Sequence, residues 1–585
     1  MSNLLYPRRP LKTLALTVLL SIWCANAQPL SAQNNQPDDK QESIRGVVVN
    51  SVTHEPVGRA LVHSPDDRFA MFTDSEGRFE FTFPQADSEK SPADESGSPD
   101  RFRQRGQNLQ LMLMAKKPGF LEDHMGIRNR QSDSAGKEIT IPLTPEALIV
   151  GRVVLVTSEP SDPIQLELYR RQVQEGRAHW VLSGSAWTKS NGEFRFAELA
   201  AGNYKLLTRE LLDRDPLTFD PRGQLYGYPP IYFPNATNFE AAQTIQLAAG
   251  QTLQADISLV RHAYYPVKVT IANVPEIVHG VNIVVSPQGQ RSPGFALGYN
   301  NRSQTIEGLL PDGNYTLQAS SFAPNPASGL LNITVRSAPV EGPEMILVSN
   351  GSIKVNVKEE FTSGEEGASR NFNVEGNPAA FIPQGPRRYL NVRLEPADDF
   401  GQRGPGWLRP PSGPEDDSLV IEGTPPGRYW VKVDTSRGFA SAISSGTTDL
   451  QHHPLIVGPG GSSAPIEITM RDDTAEIDGT VESLAASPTG SSSQVSEGSS
   501  AHLYCIPLPD SSGEFKDIWV QADGKFGPQQ MPPGTYRVLA FDRPQPDLEY
   551  RNPEAMKAYD AKGQLVRLIA GQKEHLHLQL VSPAE

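Results

Sequence analysis

Cysteine is nearly missing from these 585 residues, which hold only Cys24 and Cys505. Beyond residue 27 there is no long apolar run, so no later segment reads as a bilayer-spanning helix. Charge is sparse, at 21% of residues, and unbalanced toward acid, with a formal net charge of −15. That sign argues against nucleic acid or anionic lipid as the main partner. Catalytic signatures are missing too. None of the eleven histidines is followed by Glu three positions on, and there is no His-Glu-x-x-His, no Gly-x-Ser-x-Gly elbow and no Gly-Lys-Ser/Thr phosphate loop. The chain therefore reads as non-enzymatic and without a cofactor.

What the sequence does contain, 51 Pro and 49 Gly, suits several small β domains better than a helical bundle. Residues 1–27 have the plan of an export signal. Arg8, Arg9 and Lys12 precede an apolar run from Leu14 to Trp23, and Ala25-Asn26-Ala27 supplies a small-x-small cleavage site. The bulky Ser21-Ile22-Trp23 before Cys24 argues against a lipoprotein. Cleavage removes three cations and no acid, taking the formal charge from −15 to −18, and leaves Cys505 with no intramolecular partner. The strand-like segment around Cys505 makes a buried small hydrophobe the simpler reading, against a reactive thiol. Residues 28–42 read as a flexible leader.

One short pattern recurs: Ala201-Gly202-Asn203-Tyr204, Asp312-Gly313-Asn314-Tyr315, Pro426-Gly427-Arg428-Tyr429 and Pro533-Gly534-Thr535-Tyr536. Its glycines are 111, 114 and 107 residues apart, about one domain length each. We expect a turn in which Gly takes a positive φ, followed by a half-buried strand with the tyrosine facing the core. A second pattern is a Gly-x-Val strand followed by an Asp-x-x-Gly-x-Phe hairpin. It occurs at Gly46-Val47-Val48 with Asp74-Ser75-Glu76-Gly77-Arg78-Phe79. It returns at Gly151-Arg152-Val153 with Asn191-Gly192-Glu193-Phe194, and at Gly479-Thr480-Val481 with Asp523-Gly524-Lys525-Phe526. Lys117-Pro118-Gly119-Phe120 completes the first set.

These elements resemble the carboxypeptidase regulatory-like domain, and the resemblance is good for about three of five units. It implies a transthyretin-like fold, a seven-stranded antiparallel β-sandwich of about 80 to 100 residues. The expected fold class is all-β, a tandem array of about five antiparallel transthyretin-like or Ig-like sandwiches. The copies are expected at 43–145 with an inserted loop 84–107, 146–261, 262–348, 349–472 with a loop 362–385, and 473–585 with a loop 483–500. Copies three and four lack a clear Asp-Gly-x-Phe hairpin. Ala249-Gly250-Gln251 and Ala570-Gly571-Gln572 each precede a closing strand. The one helix candidate starts at Asn552-Pro553.

Candidate site residues are aromatics away from the tyrosine face: Tyr226, Tyr228 and Tyr232 around Pro229-Pro230, Trp407, and Trp430. They suit sugar stacking or, more simply, seals between domains. His575 and His577 share a strand face and could hold a metal, though no third ligand is visible, so no metal site is expected. The paired aspartates 66–67, 398–399, 416–417 and 472–473 read as solvated turns. The expected role is that of an exported binding or scaffold protein, periplasmic, cell-surface or secreted, with a protein or glycan partner at the envelope. Alternatives are a carbohydrate-binding protein and an accessory subunit of an exported hydrolase or outer-membrane transporter.

Overall fold

The computed structural model describes residues 43–64, 70–82, 111–121, 127–129, 138–155, 163–213, 223–273, 280–321, 326–362, 387, 389–400, 406–413, 415–482, 501–509, 511, 513–521 and 523–581. The expected signal peptide, the leader, the Asp66-Asp67 pair and the loops 84–107 and 483–500 lie outside these residues, as does the loop 362–385 beyond Thr362. Two compact units are present. One comprises Met1–Val48, Pro56–Met114 and Met125–Ile141, and the other Val49–Glu55, Ala115–His124 and Pro142–Glu585. The smaller unit carries a core of Val48, Val57, Val62, Phe79, Phe81, Leu113 and Ile141.

The architecture is all-β. In the larger unit eight sheets form four pairs, and each pair shares a separate apolar core. One sheet of each pair is built on the copy's opening strand: Ala147–Leu155, His262–Ala272, Ser352–Glu360 or Ala475–Glu482. An antiparallel strand flanks it on one side: Glu193–Leu199, Thr305–Pro311, Leu419–Glu422 and Lys525–Met531 respectively. The closing strand pairs with it in parallel: Thr252–Gln254, Val340–Ile346, Ile466–Arg471 and Lys573–Gln579. Among the described strands of the larger unit the antiparallel expectation thus holds for every strand pairing but these and a second short parallel strand, Ile257–Leu259. The chain between opening and closing strands builds the other sheet and so serves as the long crossover that parallel pairing needs.

Contact geometry explains both recurring patterns. The motif phenylalanine pairs directly across from the glycine of the Gly-x-Val strand, as Gly46↔Phe79, Gly151↔Phe194 and Gly479↔Phe526. A Cβ on Gly46 would lie 2.4 Å from the Phe79 ring, and one on Gly151 would lie 2.7 Å from the Phe194 ring. The glycine is therefore the floor on which the ring lies. Asp74, Asn191 and Asp523 each accept a backbone N–H two residues on at 2.9–3.1 Å, which closes the turn.

In the Gly-x-Tyr strands each phenol donates to the carbonyl four residues back. Tyr204 bonds Ala200 at 2.7 Å, Tyr315 bonds Pro311 at 3.0 Å, Tyr429 bonds Pro425 at 2.8 Å and Tyr536 bonds Pro532 at 2.7 Å. All four rings are buried in the cores. This is the economy of a tyrosine corner, in which one side chain both fills the core and caps the turn. The expected positive φ does not explain the glycine at positions 313, 427 and 534, which are not among the positive-φ residues. Close approach does so at all three, a Cβ on Gly534 meeting the Ser511 hydroxyl and the Gly513 backbone. A Cβ on Gly313 would meet the Tyr315 hydroxyl at 2.9 Å, and one on Gly427 would meet the Tyr429 ring at 3.3 Å.

Copies three and four, which lack the hairpin sequence, build the same opening-strand sheet as copies two and five. The helix forms at Pro553–Met556, with Asn552 accepting from the Glu554 N–H at 3.1 Å. Cys505 is buried and free, and burial pushes its thiol up to about 12.

Candidate functional site

Copy two contributes an unusually long hairpin, Gln165–Gln174 paired with Arg177–Trp187. Its two-residue turn is Glu175-Gly176, at φ +47° and +74°. Two consecutive positive φ values mark a type I′ turn, whose twist matches that of the flanking strands. The hairpin overshoots its own sandwich and reaches copies four and five. At its tip the Gly176 carbonyl accepts the Arg551 N–H at 3.1 Å, and a Cβ on Gly176 would lie 2.7 Å from the Tyr550 ring. Arg171 pairs with Glu549.

Copy four meets the hairpin with the outward face of two paired strands, Leu390–Pro396 and Gly427–Thr435. Alternation sends Val392, Leu394, Tyr429 and Val431 into the core and leaves Arg393, Glu395, Trp430, Lys432 and Asp434 outside. Glu175 is then held by Lys432 Nζ and by Arg393 Nη2, the latter at 3.1 Å. The Arg177 guanidinium lies 3.6 Å from the centre of the Trp430 ring. Cation–π stacking of this kind is worth roughly 0.5–2 kcal/mol.

Between the hairpin tip, this face and copy five lies a crevice of about 1010 Å³. Copy five lines it with Tyr504, Glu514, Phe515, Tyr550 and Arg551, and the Phe515 and Tyr550 rings stack 3.8 Å apart. Only 12% of the Lys432 side chain is exposed. Burial pushes its ammonium down to about 7 and Arg551 adds to that push, while the charges of Asp434 and Glu514 oppose it. The lining therefore mixes aromatic rings with closely packed charges of both signs.

The aromatics singled out from sequence scatter. Trp430 lines the crevice. Tyr226 is 36% exposed, with Arg261 stacked 4.1 Å over its ring and in turn bonded to Asp213 at 2.5 Å. Tyr228 and Tyr232 retain only 2% and 1% of their exposure, so neither ring offers a face to a ligand. Tyr228 joins the core of copy two, although its strand, Leu225–Tyr228, hydrogen-bonds to the opening strand of copy three. Tyr232 belongs to a second cluster on the outer face of copy two with Tyr169, Leu207 and Phe239, and its hydroxyl donates to the Pro293 carbonyl. Trp407 pairs in the backbone opposite Arg393, and its side chain lies outside the described residues.

Other sequence expectations are corrected or completed. Asp398 and Asp399 are not solvated turn residues: they sit where copies two, three and four meet. Asp398 pairs with Arg291 at 3.3 Å and Arg428 at 3.2 Å, and Asp399 accepts the Trp180 N–H at 3.2 Å and faces His179 at 3.3 Å. Phe400 beside them packs on Tyr169 and Phe239. His575 faces Asp478 at 2.5 Å and His577 faces Thr480 at 3.0 Å. Among the described residues no three His, Cys, Asp or Glu side chains form a group able to hold a metal, and no helix is long and apolar enough to cross a membrane. Sequence reasoning missed Glu175, Arg177, Lys432 and Arg551. The available signal was the alternating Trp430, Lys432 and Asp434 opposite a core tyrosine.

No family model matches this chain, and no curated protein does. Solved structures align with parts of it at low similarity. The Bacillus anthracis TIE protein is 9% identical over 74% of this chain and 74% of its own, with a TM-score of 0.14. The Streptococcal ancillary pilin is 11% identical over 56% of this chain and 99% of its own, at 0.17. The pilus adhesin SpaC from Lactobacillus rhamnosus GG is 12% identical over 52% and 43%, at 0.15.

Proposed function

We propose that this is an exported, non-enzymatic binding or scaffold protein of five regulatory-like sandwiches, bounded near residues 145, 261, 348 and 472. Its ligand or partner is held in the crevice where copies two, four and five meet. One observation carries this reading: the Glu175-Gly176 tip docks on both other copies yet leaves about 1010 Å³ open beside it. Ligand sites favour such concave junctions between domains. The rings of Trp430, Phe515 and Tyr550 along it favour a saccharide over other ligands, which joins the carbohydrate-binding alternative to the same place.

The test uses the chain from residue 28 onward as bait in envelope extract and on a glycan array, beside Trp430→Ala. A ligand or partner captured by the unaltered chain and lost in the variant supports the crevice. Capture that is unchanged in Trp430→Ala puts the site elsewhere. Turnover of any substrate by the purified chain would overturn the non-enzymatic reading.

A further inference from the structure

The charges in the crevice do not all cancel. Arg393 is matched by Glu175 at 3.1 Å, Asp434 at 3.4 Å and Glu395 at 3.5 Å, and Lys432 is matched by Glu175. Arg177 and Arg551 are not: among the described residues neither guanidinium has a carboxylate within ion-pair distance. Arg177 stacks on Trp430, while the Arg551 guanidinium lies 5.8 Å from the centre of its neighbour's ring, Tyr550. The two side chains come from opposite walls, one from the copy-two hairpin and one from copy five, and both line the same open volume. The Gly176 carbonyl accepts the Arg551 N–H at 3.1 Å, which brings the two residues together, and burial, then the charge of Arg551, disfavours the protonated form of Arg177. Two like charges brought together in this way cost free energy that an anion between them would recover.

We propose that the crevice binds an acidic saccharide, a uronic-acid-containing chain whose carboxylate is clamped between Arg177 and Arg551. This rests on the crevice reading above. A guanidinium fork matches a carboxylate with two parallel N–H···O bonds, a geometry that discriminates planar anions from neutral groups. The other lining groups suit the rest of such a ligand: Glu514 and Asp434 are acceptors for ring hydroxyls, and the outer side of the stacked Phe515–Tyr550 pair is apolar surface for sugar C–H groups. Because the whole chain carries −15, its long-range field does not draw anions in. Affinity must come from the two guanidinium contacts themselves. An acidic peptide would also offer carboxylates, and binding of oligoglutamate is the outcome that separates it from the saccharide.

The experiment titrates the chain from residue 28 onward with oligogalacturonate, with the neutral galactose oligomer of equal length and with oligoglutamate. It uses the unaltered protein, Arg551→Gln, Arg177→Gln and Trp430→Ala, with a thermal melt of each. Arg551 is solvent-exposed, so Arg551→Gln keeps the fold even if Arg177→Gln loosens the hairpin. The expected result is preference for the uronate over the neutral oligomer, and loss of about 10-fold or more in affinity in Arg551→Gln at unchanged melting temperature. Equal binding of the neutral oligomer, lost in Trp430→Ala, overturns the carboxylate clamp and leaves the crevice standing. Preference for oligoglutamate overturns the saccharide in favour of a protein partner. Uronate binding unchanged in all three variants overturns clamp and crevice together, and no binding of any probe at millimolar concentration overturns the proposal.

Discussion

Strands Gly313–Ser321 and Gly427–Thr435 open on the same Gly-x-Tyr motif and cap their turns with the same phenol-to-carbonyl bond, yet their outward faces differ completely. In copy three that face is a solvated polar ladder, in which Thr316 bonds Asn332 and Thr334 bonds Asn314, both at 2.8 Å. In copy four it presents Trp430, Lys432 and Asp434 to a crevice closed by copies two and five. The inward half of the strand is set by its own copy. The outward half is free to vary, and a site arises where a second copy arrives to cover it.

The largest effect that would break this comparison lies on the inward face. Tyr429→Ala removes a buried ring and its hydrogen bond and should cost about 3–5 kcal/mol in denaturant unfolding. A cost near that of a surface change would remove the claim that the motif is a core device.

Next in size is the seam between copies two and three. The Glu210 carboxylate accepts the Ala296 N–H at 2.7 Å, and its other oxygen is buried without a partner. Burial pushes the carboxyl up to about 7, against that N–H and the charge of Arg209. A carboxyl raised in the fold binds more protons folded than unfolded. Its stabilising contribution is therefore complete below about 4.5 and is lost as pH rises through 7, amounting to about 3 kcal/mol at most. Glu210→Gln should flatten that fall, seen as a smaller difference between melts at pH 5 and pH 8. Identical pH profiles for the two proteins would count against it.

Gly176→Ala sharpens the contrast at the docked tip. A Cβ there meets the Tyr550 ring at a positive φ, for a cost of about 1–3 kcal/mol. Hydrogen exchange should quicken at the hairpin tip and around Arg551 while the copy-four core stays protected. The smallest effects belong to copy three, where Tyr315→Phe should cost about 1 kcal/mol and Thr316→Ala less than about 0.5 kcal/mol. A large loss from Thr316→Ala would mean that its face is covered after all.

Much of each copy is legible in its residues. The alternation after Tyr429 identifies the core face, and the Gly-Phe pairing explains why the glycine of the Gly-x-Val strand and the hairpin phenylalanine travel together. What fails is the reading of outward residues. Tyr228 and Tyr232 look available beside Pro229-Pro230 but are buried by chain that folds over them, and Asp398 and Asp399 look solvated but seal three copies together. Nothing in a local pattern distinguishes an outward residue that meets water from one that meets another copy.

The sequence alone determined the all-β class, the repeat and the inward tyrosines, because strand periodicity and close approach of a ring to a glycine act over a few residues and one cross-strand neighbour. Only tertiary structure decided the crevice. Arg177, Lys432 and Arg551 lie in three different copies, and no propensity acts across that separation. Their charges came together because a hairpin longer than its sandwich docked by its own twist and shape on surfaces far along the chain.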